Sequence, residues 1–343
     1  MSENTLKLLC ADPAFGLASF DPNCLFIQTY LKFAQVDYTV EPNPFTVPNY
    51  PSPGQNKETQ LPILRHNVLK NPTVTIRGAV SIIEYLKSKS VDLDAYIRLR
   101  SGEDDTTSIT LKEIRSEIIA YSSLVEEKLL PCLLYYWWVC DENYQVTKNE
   151  FFSRTPFYSR WLYAPLIRKQ CRDHLKRLEV NHKNAAQERA NECLSALNIL
   201  LGNKTFFYGD TPSTLDALVY GYLACFTVPD LPDLTLRQLV TSYPNLSRFT
   251  LHILNNFESS GPSRTLSTQD TKKQENKQEE NVKKSESLIL RRFLKIAFGA
   301  FSIYIGYVLR IVYRNMNSKD SELFEDINEQ SYHFDDHYEA LTD

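Results

Sequence analysis

Apolar positions along the first hundred residues follow two rhythms. Leu6 to Cys10 predicts a strand, Asp37 to Val40 alternates as a second, and further strands are predicted around Leu61 to Arg65 and at Val74 to Arg77. Between the first two, Asp21 or Asn23 is placed to cap a helix carrying Ile27, Tyr30, Leu31 and Ala34 on one side. Asn43 to Asn56 holds four prolines and a glycine and reads as loop. Val80 to Lys87, with Ile83, Tyr85 and Leu86 apolar, closes the region as a helix. The order is β-α-β-loop-β-β-α. Residues from about 105 to 257 then read almost wholly helical. A long helix is predicted from Thr107 to Leu130, since Leu111, Ile114, Ile118, Tyr121, Val125 and Leu129 keep the spacing of one packed face. A second spans Ala186 to Leu201, with Ala190, Cys193, Leu197 and Leu200 in register and Gly202 at its end. A third begins at Thr211-Pro212-Ser213: Ser213 caps, Asp216 reaches back to it, and Leu215, Leu218, Val219 and Tyr222 face the core.

Beyond this the pattern changes twice. Glu258 to Ser287 has hardly an apolar side chain, so it cannot offset the entropy of ordering and is expected to be a flexible polar linker. Ile296 to Leu309 is then uncharged, with Arg291, Arg292 and Lys295 before it and Arg310 and Arg314 after. Fourteen helical residues rise about 21 Å, and extension from Phe293 to Tyr313 brings the length to about 31 Å, which matches a hydrocarbon core of roughly 30 Å. That extension needs Lys295 and Arg310 to snorkel to the interfaces, where Phe293, Tyr307 and Tyr313 also sit. A membrane anchor is therefore expected over 288–314, its apolar surface made by Phe293, Ile296, Phe298, Phe301, Ile303, Ile305, Val308 and Leu309. An amphipathic helix lying on the membrane is the alternative; it needs a polar face, which the uncharged run lacks. Ser302 and Gly306 have the spacing that permits close helix approach, a pairing also frequent by chance. Residues 315–343 carry nine acids against one lysine and read as a solvated acidic tail.

Composition narrows the possibilities. The 343 residues are 43% hydrophobic, enough for a sizeable core. A net charge of −4, with no basic stripe interleaved with aromatics in the globular part, gives no reason to expect nucleic acid. MSENTLKLLC lacks the basic stretch and apolar run of a secretory signal. Cys10, Cys24, Cys132, Cys140, Cys171, Cys193 and Cys225 are odd in number and form no CxxC pair, the usage of reduced thiols facing the cytosol and mostly buried. His333 and His337 are helix-spaced beside Asp335 and Asp336, but with no further ligand in sight they read as part of the acidic tail, and no metal is expected. In Leu133-Leu134-Tyr135-Tyr136-Trp137-Trp138 a partner surface and a buried continuation of the helix ended or kinked at Pro131 both fit, with core favoured.

These landmarks resemble the glutathione-transferase architecture over roughly residues 5 to 257. Leu61-Pro62-Ile63-Leu64 resembles its LPxL element, whose proline is usually cis. Ala79-Val80-Ser81-Ile82-Ile83-Glu84-Tyr85-Leu86 resembles the helix after the sheet, and Gly209-Asp210-Thr211-Pro212-Ser213-Thr214-Leu215-Asp216-Ala217 its internal capping motif. The expected fold is an α+β thioredoxin-like domain over 1–100 and an all-helical domain over 101–257, followed by the linker over 258–287, the transmembrane anchor and the tail. Pro62, Ser213 and Asp216 are then structural residues. A closer resemblance is to the metaxins, carried by Glu126-Glu127-Lys128-Leu129-Leu130-Pro131, Trp138, Asn143-Tyr144, Val146-Thr147 and Phe206-Phe207-Tyr208-Gly209-Asp210-Thr211-Pro212-Ser213-Thr214-Leu215-Asp216, with Cys10 and Gly16-Leu17 in agreement. The tail fits the membrane-anchored, metaxin-one branch; the linker and acidic tail match nothing in that pattern.

What the resemblance implies about chemistry is mostly subtraction. A transferase of this fold holds the γ-glutamyl group with a Glu/Gln-Ser pair; counting back from Tyr85-Leu86, that pair falls on Gly78-Ala79, which offer no side-chain hydrogen bond. Each missing partner of a buried polar ligand loses roughly 1–3 kcal/mol. Asp21-Pro22-Asn23-Cys24 occupies the catalytic region; Asp21 would repel a thiolate, and Cys24 is the candidate nucleophile, or else a buried packing cysteine. No phosphate loop, HExxH or GxSxG motif is present in the sequence. The metaxin resemblance implies a non-enzymatic subunit, without cofactor, of the mitochondrial outer-membrane machinery that sorts and assembles β-barrel proteins. Its implied partners are a second, anchor-less metaxin, an Omp85-type barrel subunit and barrel precursors, with the folded part facing the cytosol. The alternatives are a membrane-bound glutathione-dependent thiol enzyme using Cys24, and a tail-anchored transferase-like protein of the ganglioside-induced differentiation-associated kind acting in mitochondrial dynamics.

Overall fold

Alternation in the first strand places Leu8 and Cys10 on a fully buried face, while Lys7 points outward to Glu41, 3.1 Å away. The computed structural model describes residues 4–43, 61–68, 73–97, 111–155 and 157–258. The chain divides into two units, Met1–Arg264 and Thr265–Asp343, and every described residue lies in the first. Most of the predicted loop at Asn43 to Asn56, nearly all of the linker, and the whole of the anchor and acidic tail fall outside the described residues. Among the described residues no helix is long and apolar enough to cross a membrane.

Strand β1 (Asn4–Ala11) leads to α1 (Pro22–Phe33) and β2 (Tyr38–Asn43); β3 (Ile63–Val68), β4 (Val74–Arg77) and α2 (Ala79–Ser88) follow. The sheet order is β2-β1-β3-β4, with β2 parallel to β1 and the other pairs antiparallel. This is the predicted thioredoxin-like arrangement. A 3₁₀ turn (Leu93–Tyr96) leads on to the helices α3 (Leu111–Leu134), α4 (Asp141–Phe151), α5 (Phe157–Arg177), α6 (Lys183–Leu201), α7 (Thr214–Thr227), α8 (Thr235–Thr241) and α9 (Pro244–Ile253). The periodicity singled out α3, α6 and α7; α4, α5, α8 and α9 were covered only by the general helical reading. Helix α6 begins earlier than predicted because His182 caps it, its ring nitrogen accepting from the Ala185 N–H at 3.2 Å.

Pro131 does not end α3. The helix continues through it to Leu134 and passes into a π-helical turn, Tyr135–Val139. Proline removes one backbone donor there, but Cys132, Leu133, Leu134, Tyr136, Trp137 and Trp138 are all at most 1% exposed, so burial holds the segment helical. The aromatic run is core, as favoured.

The centre of the body is α7, in which every residue from Thr214 to Phe226 is buried. It packs along α1 so closely that a Cβ added at Gly221 would lie 2.7 Å from the Pro22 carbonyl oxygen and 3.0 Å from the Phe26 nitrogen. Two buried carboxylates hold its start. Asp216 accepts from the Ser213 N–H (2.8 Å), the Ser213 hydroxyl (2.5 Å) and the Phe207 N–H (2.9 Å), completing the predicted capping box. Asp94, from the 3₁₀ turn 120 residues earlier, accepts from the Thr214 N–H (2.9 Å), the Thr214 hydroxyl (2.8 Å) and Lys87 Nζ (2.7 Å). A carboxylate at a helix N-terminus is favoured by the helix dipole.

Gly221→Ala is expected to force α1 and α7 apart and to lower stability by about 1–3 kcal/mol, read as a fall in the thermal midpoint; an unchanged midpoint would show that the helices are less tightly seated. Burial lifts the Asp216 carboxyl from 3.8 to about 6 despite its hydrogen bonds. A carboxyl raised on folding favours the native state below its unfolded value, and this advantage fades as pH rises through the folded value. The interval between 3.8 and about 6 corresponds to about 3 kcal/mol. Denaturant titration of wild type and Asp216→Asn at pH 4 and pH 7.5 should therefore show a larger deficit for the variant at pH 4; a pH-independent deficit would contradict the raised carboxyl.

Candidate functional site

In a transferase-like body the place to look for chemistry is where the start of α1 meets β3 and the start of α2. Asp21, not Asn23, is the cap of α1: its side chain accepts from the Cys24 N–H at 2.8 Å, and Pro22 occupies the first helical position. Cys24 thereby sits in the first turn, where the helix dipole favours a thiolate. The surroundings outweigh this. Cys24 is 0% exposed, and burial, the adjoining Cys10 thiol and the Asp21 carboxylate all push its thiol well above the ordinary range. It is a packing cysteine, protonated at neutral pH. Six of the seven cysteines are buried and none forms a disulfide; Cys140 alone is partly exposed.

Gly78 and Ala79, the positions the transferase resemblance assigns to the glutathione anchors, carry no polar side chain. Gly78 takes a φ of 81°, which suits glycine, and donates its N–H to the Pro62 carbonyl at 2.9 Å; it precedes α2 with no side-chain cap. Ala79 is buried. The Leu61–Pro62 peptide is cis, in keeping with the LPxL resemblance. Sequence reasoning overlooked Ser19, a hydroxyl just before α1. It is fully buried, and its oxygen accepts the Asp21 N–H at 3.3 Å, so it serves the turn. Its distance from the helix start in sequence was the available signal.

The loop between β1 and α1 is pinned to the helical half by aromatic rings. Phe20 stacks on Phe151 with centroids 3.7 Å apart, Trp138 meets the same ring edge-on at 4.9 Å, and Phe15 lies 5.5 Å from Trp137. The Phe15 N–H donates to Glu150 Oε1 at 3.1 Å. Asp12, at the end of β1, is buried and its carboxyl raised by desolvation, partly offset by Arg154. Apolar rings thus occupy the seam between sheet and helices beside the catalytic region.

Cys140, Glu142 and Asp233 bring three potential ligand atoms within 4.8 Å of one another. Their arrangement fits a structural link better than an ion site. Asp233 already accepts from Lys183 Nζ at 2.7 Å and the Thr235 N–H at 2.9 Å; burial alone would raise its carboxyl, and these partners bring it below the ordinary value. The Cys140 thiol is raised by burial and by its carboxylate neighbours. The residues expected to form a membrane anchor, Phe293, Ile296, Phe298, Phe301, Ile303, Ile305, Val308 and Leu309, and the histidines His333 and His337, lie outside the described residues.

Comparison with known proteins places this arrangement. Residues 24–168 match the family model described as outer mitochondrial membrane transport complex protein, and residues 190–253 the glutathione S-transferase C-terminal domain. Among solved structures, a glutathione transferase from Phanerochaete chrysosporium covers 73% of this chain and 96% of its own at 14% identity, with a TM-score of 0.49. Metaxin-1 of Mus musculus is 30% identical over 259 residues, 73% of this chain and 74% of the relative. Metaxin-3 of Xenopus laevis is 30% identical over 268 residues, 73% and 75%. At that identity and coverage the chain belongs to the metaxin family.

Proposed function

We propose that this chain is a non-enzymatic subunit of the mitochondrial outer-membrane machinery that sorts and assembles β-barrel proteins. Its C-terminal apolar segment anchors it in that membrane, and its folded body faces the cytosol. Metaxin membership and the match to an outer-membrane transport family support a role in protein import there. One observation carries the non-enzymatic part: at the place where a transferase grips glutathione, Gly78 and Ala79 offer no side-chain partner and Cys24 is buried with a raised thiol. The body then acts by contact area. An anchored body meets its partners at a high effective concentration without needing new contacts. By family resemblance those partners are a second, anchor-less metaxin and an Omp85-type barrel subunit, with barrel precursors as cargo.

Two measurements bear on this reading. Titration calorimetry of the full chain with glutathione is expected to show no uptake, and a thiol reagent should label at most Cys140 in the native protein and all seven cysteines in denaturant. Micromolar uptake, or native labelling at Cys24, would revive the thiol-enzyme alternative. Deleting Leu288 to Asp343 should make the chain extractable from mitochondria by alkali, and depleting the full chain should slow barrel assembly while sparing import of matrix proteins. Membranes from depleted cells that assemble barrels at the normal rate would sink the assignment.

A further inference from the structure

Large apolar side chains exposed on the described body are mostly isolated, as Ile119, Ile199 and Leu251 are on their separate helices. Helix α5 is different. Trp161 is 81% exposed, Leu162 57%, Tyr163 39% and Leu166 49%, four large apolar residues within six positions. The inner side of α5 is firmly seated: Ala164, Ile167, Cys171 and Leu175 are buried, and Arg168 donates to the Val139 carbonyl at 2.9 Å while stacking over Tyr144 at 4.2 Å. The apolar residues outside are therefore not waiting for a place in the core.

Their charged neighbours indicate what they meet. Beyond Leu166 the same outer face carries exposed Lys169, Arg172, Lys176 and Arg177. Helix α5 holds six Arg or Lys against a single acid, Asp173, in a chain whose net charge is −4. The sequence pattern alone had suggested no basic stripe beside aromatics; the folded helix provides one. We propose that the outer face of α5 docks on a lipid bilayer bearing anionic headgroups. Trp161, Leu162 and Leu166 enter the boundary between headgroups and acyl chains, with Tyr163 at its edge, and the basic turns that follow pair with lipid phosphates. Tryptophan, leucine and tyrosine leading into a run of Lys and Arg is the composition such an interface selects. The inference rests on the reading that the chain works at a membrane, and adds a second contact that sets which side of the body faces the lipid.

The test uses the full chain reconstituted into vesicles with brominated acyl chains, made of phosphatidylcholine alone or of phosphatidylcholine with phosphatidylinositol. Trp161 emission is isolated by subtracting a Trp161→Phe chain, in which the buried Trp137 and Trp138 remain. Quenching of Trp161 is expected to be at least twofold stronger in the anionic vesicles, and to fall to the level of phosphatidylcholine alone when Lys169, Arg172 and Lys176 are changed to Glu, with circular dichroism and flotation unchanged. A chain that floats with its vesicles while Trp161 shows no bromolipid quenching would overturn the α5 contact and leave the anchor standing. Shielding of Trp161 from acrylamide that appears only when a mitochondrial membrane protein is added would overturn it in favour of a protein partner. A chain that floats with neither vesicle refutes the anchor and this contact together.

Discussion

At Gly221 the backbones of α1 and α7 approach with no side chain between them, and most of the body is arranged around that approach. Helix α1 follows the central strand β1, and α7 is the buried centre of the helical half, so their contact sets how sheet and helices meet. Close contact of this kind tolerates neither an added methyl nor a shift of the α7 start. Two carboxylates prevent such a shift. Asp216 ties the start of α7 to Phe207, and Asp94 ties it to α2 through Lys87. Both sit at 0% exposure, where a charge is tolerable only with a full set of donors. Each has three, and neither acts alone.

Packing also decides the state of the thiol at the start of α1. Pro22, whose carbonyl faces Gly221, lies between the cap Asp21 and the thiol of Cys24. On the other side of the same turn Cys24 is buried against β1, its thiol beside Cys10. A cysteine there gains apolar contacts and loses the solvation a thiolate requires. Phe15, Phe20, Trp137, Trp138 and Phe151 then fill the adjoining seam with rings. The body carries the cis Pro62 and the capping box, with Gly78 and Ala79 at the start of α2 and the buried Cys24 at the start of α1.

Helix α5 has its inner side stapled by Arg168 and its outer side apolar over the first turns and basic over the later ones. Exposed Trp161 and Leu162 carry a hydration cost that a lone body in water does nothing to relieve. Their persistence beside Lys169 and Arg172 is a property of the fold: the register of Ala164, Ile167 and Cys171 against the core dictates which residues must face out.

Much of this was legible along the chain. The strands of the sheet, α1, α2, the packed faces of α3 and α6, and the Ser213–Asp216 box depend on residues a few positions apart, so periodicity and capping chemistry revealed them. That Gly78 and Ala79 offer no side-chain hydrogen bond was equally readable, because glycine and alanine lack the atoms wherever they are placed. The folding of Asp94 onto Thr214, the bare approach at Gly221, the passage of α3 through Pro131 and the protonated state of Cys24 were not readable. Each is decided by partners brought together from distant parts of the chain: 120 residues separate Asp94 from Thr214, and the burial that raises the Cys24 thiol exists only once α1 is laid against β1, where Cys10 adjoins it. What a residue can donate, accept or bury is written in the sequence; whether it is solvated, paired or crowded depends on long-range packing, and that belongs to the tertiary structure alone.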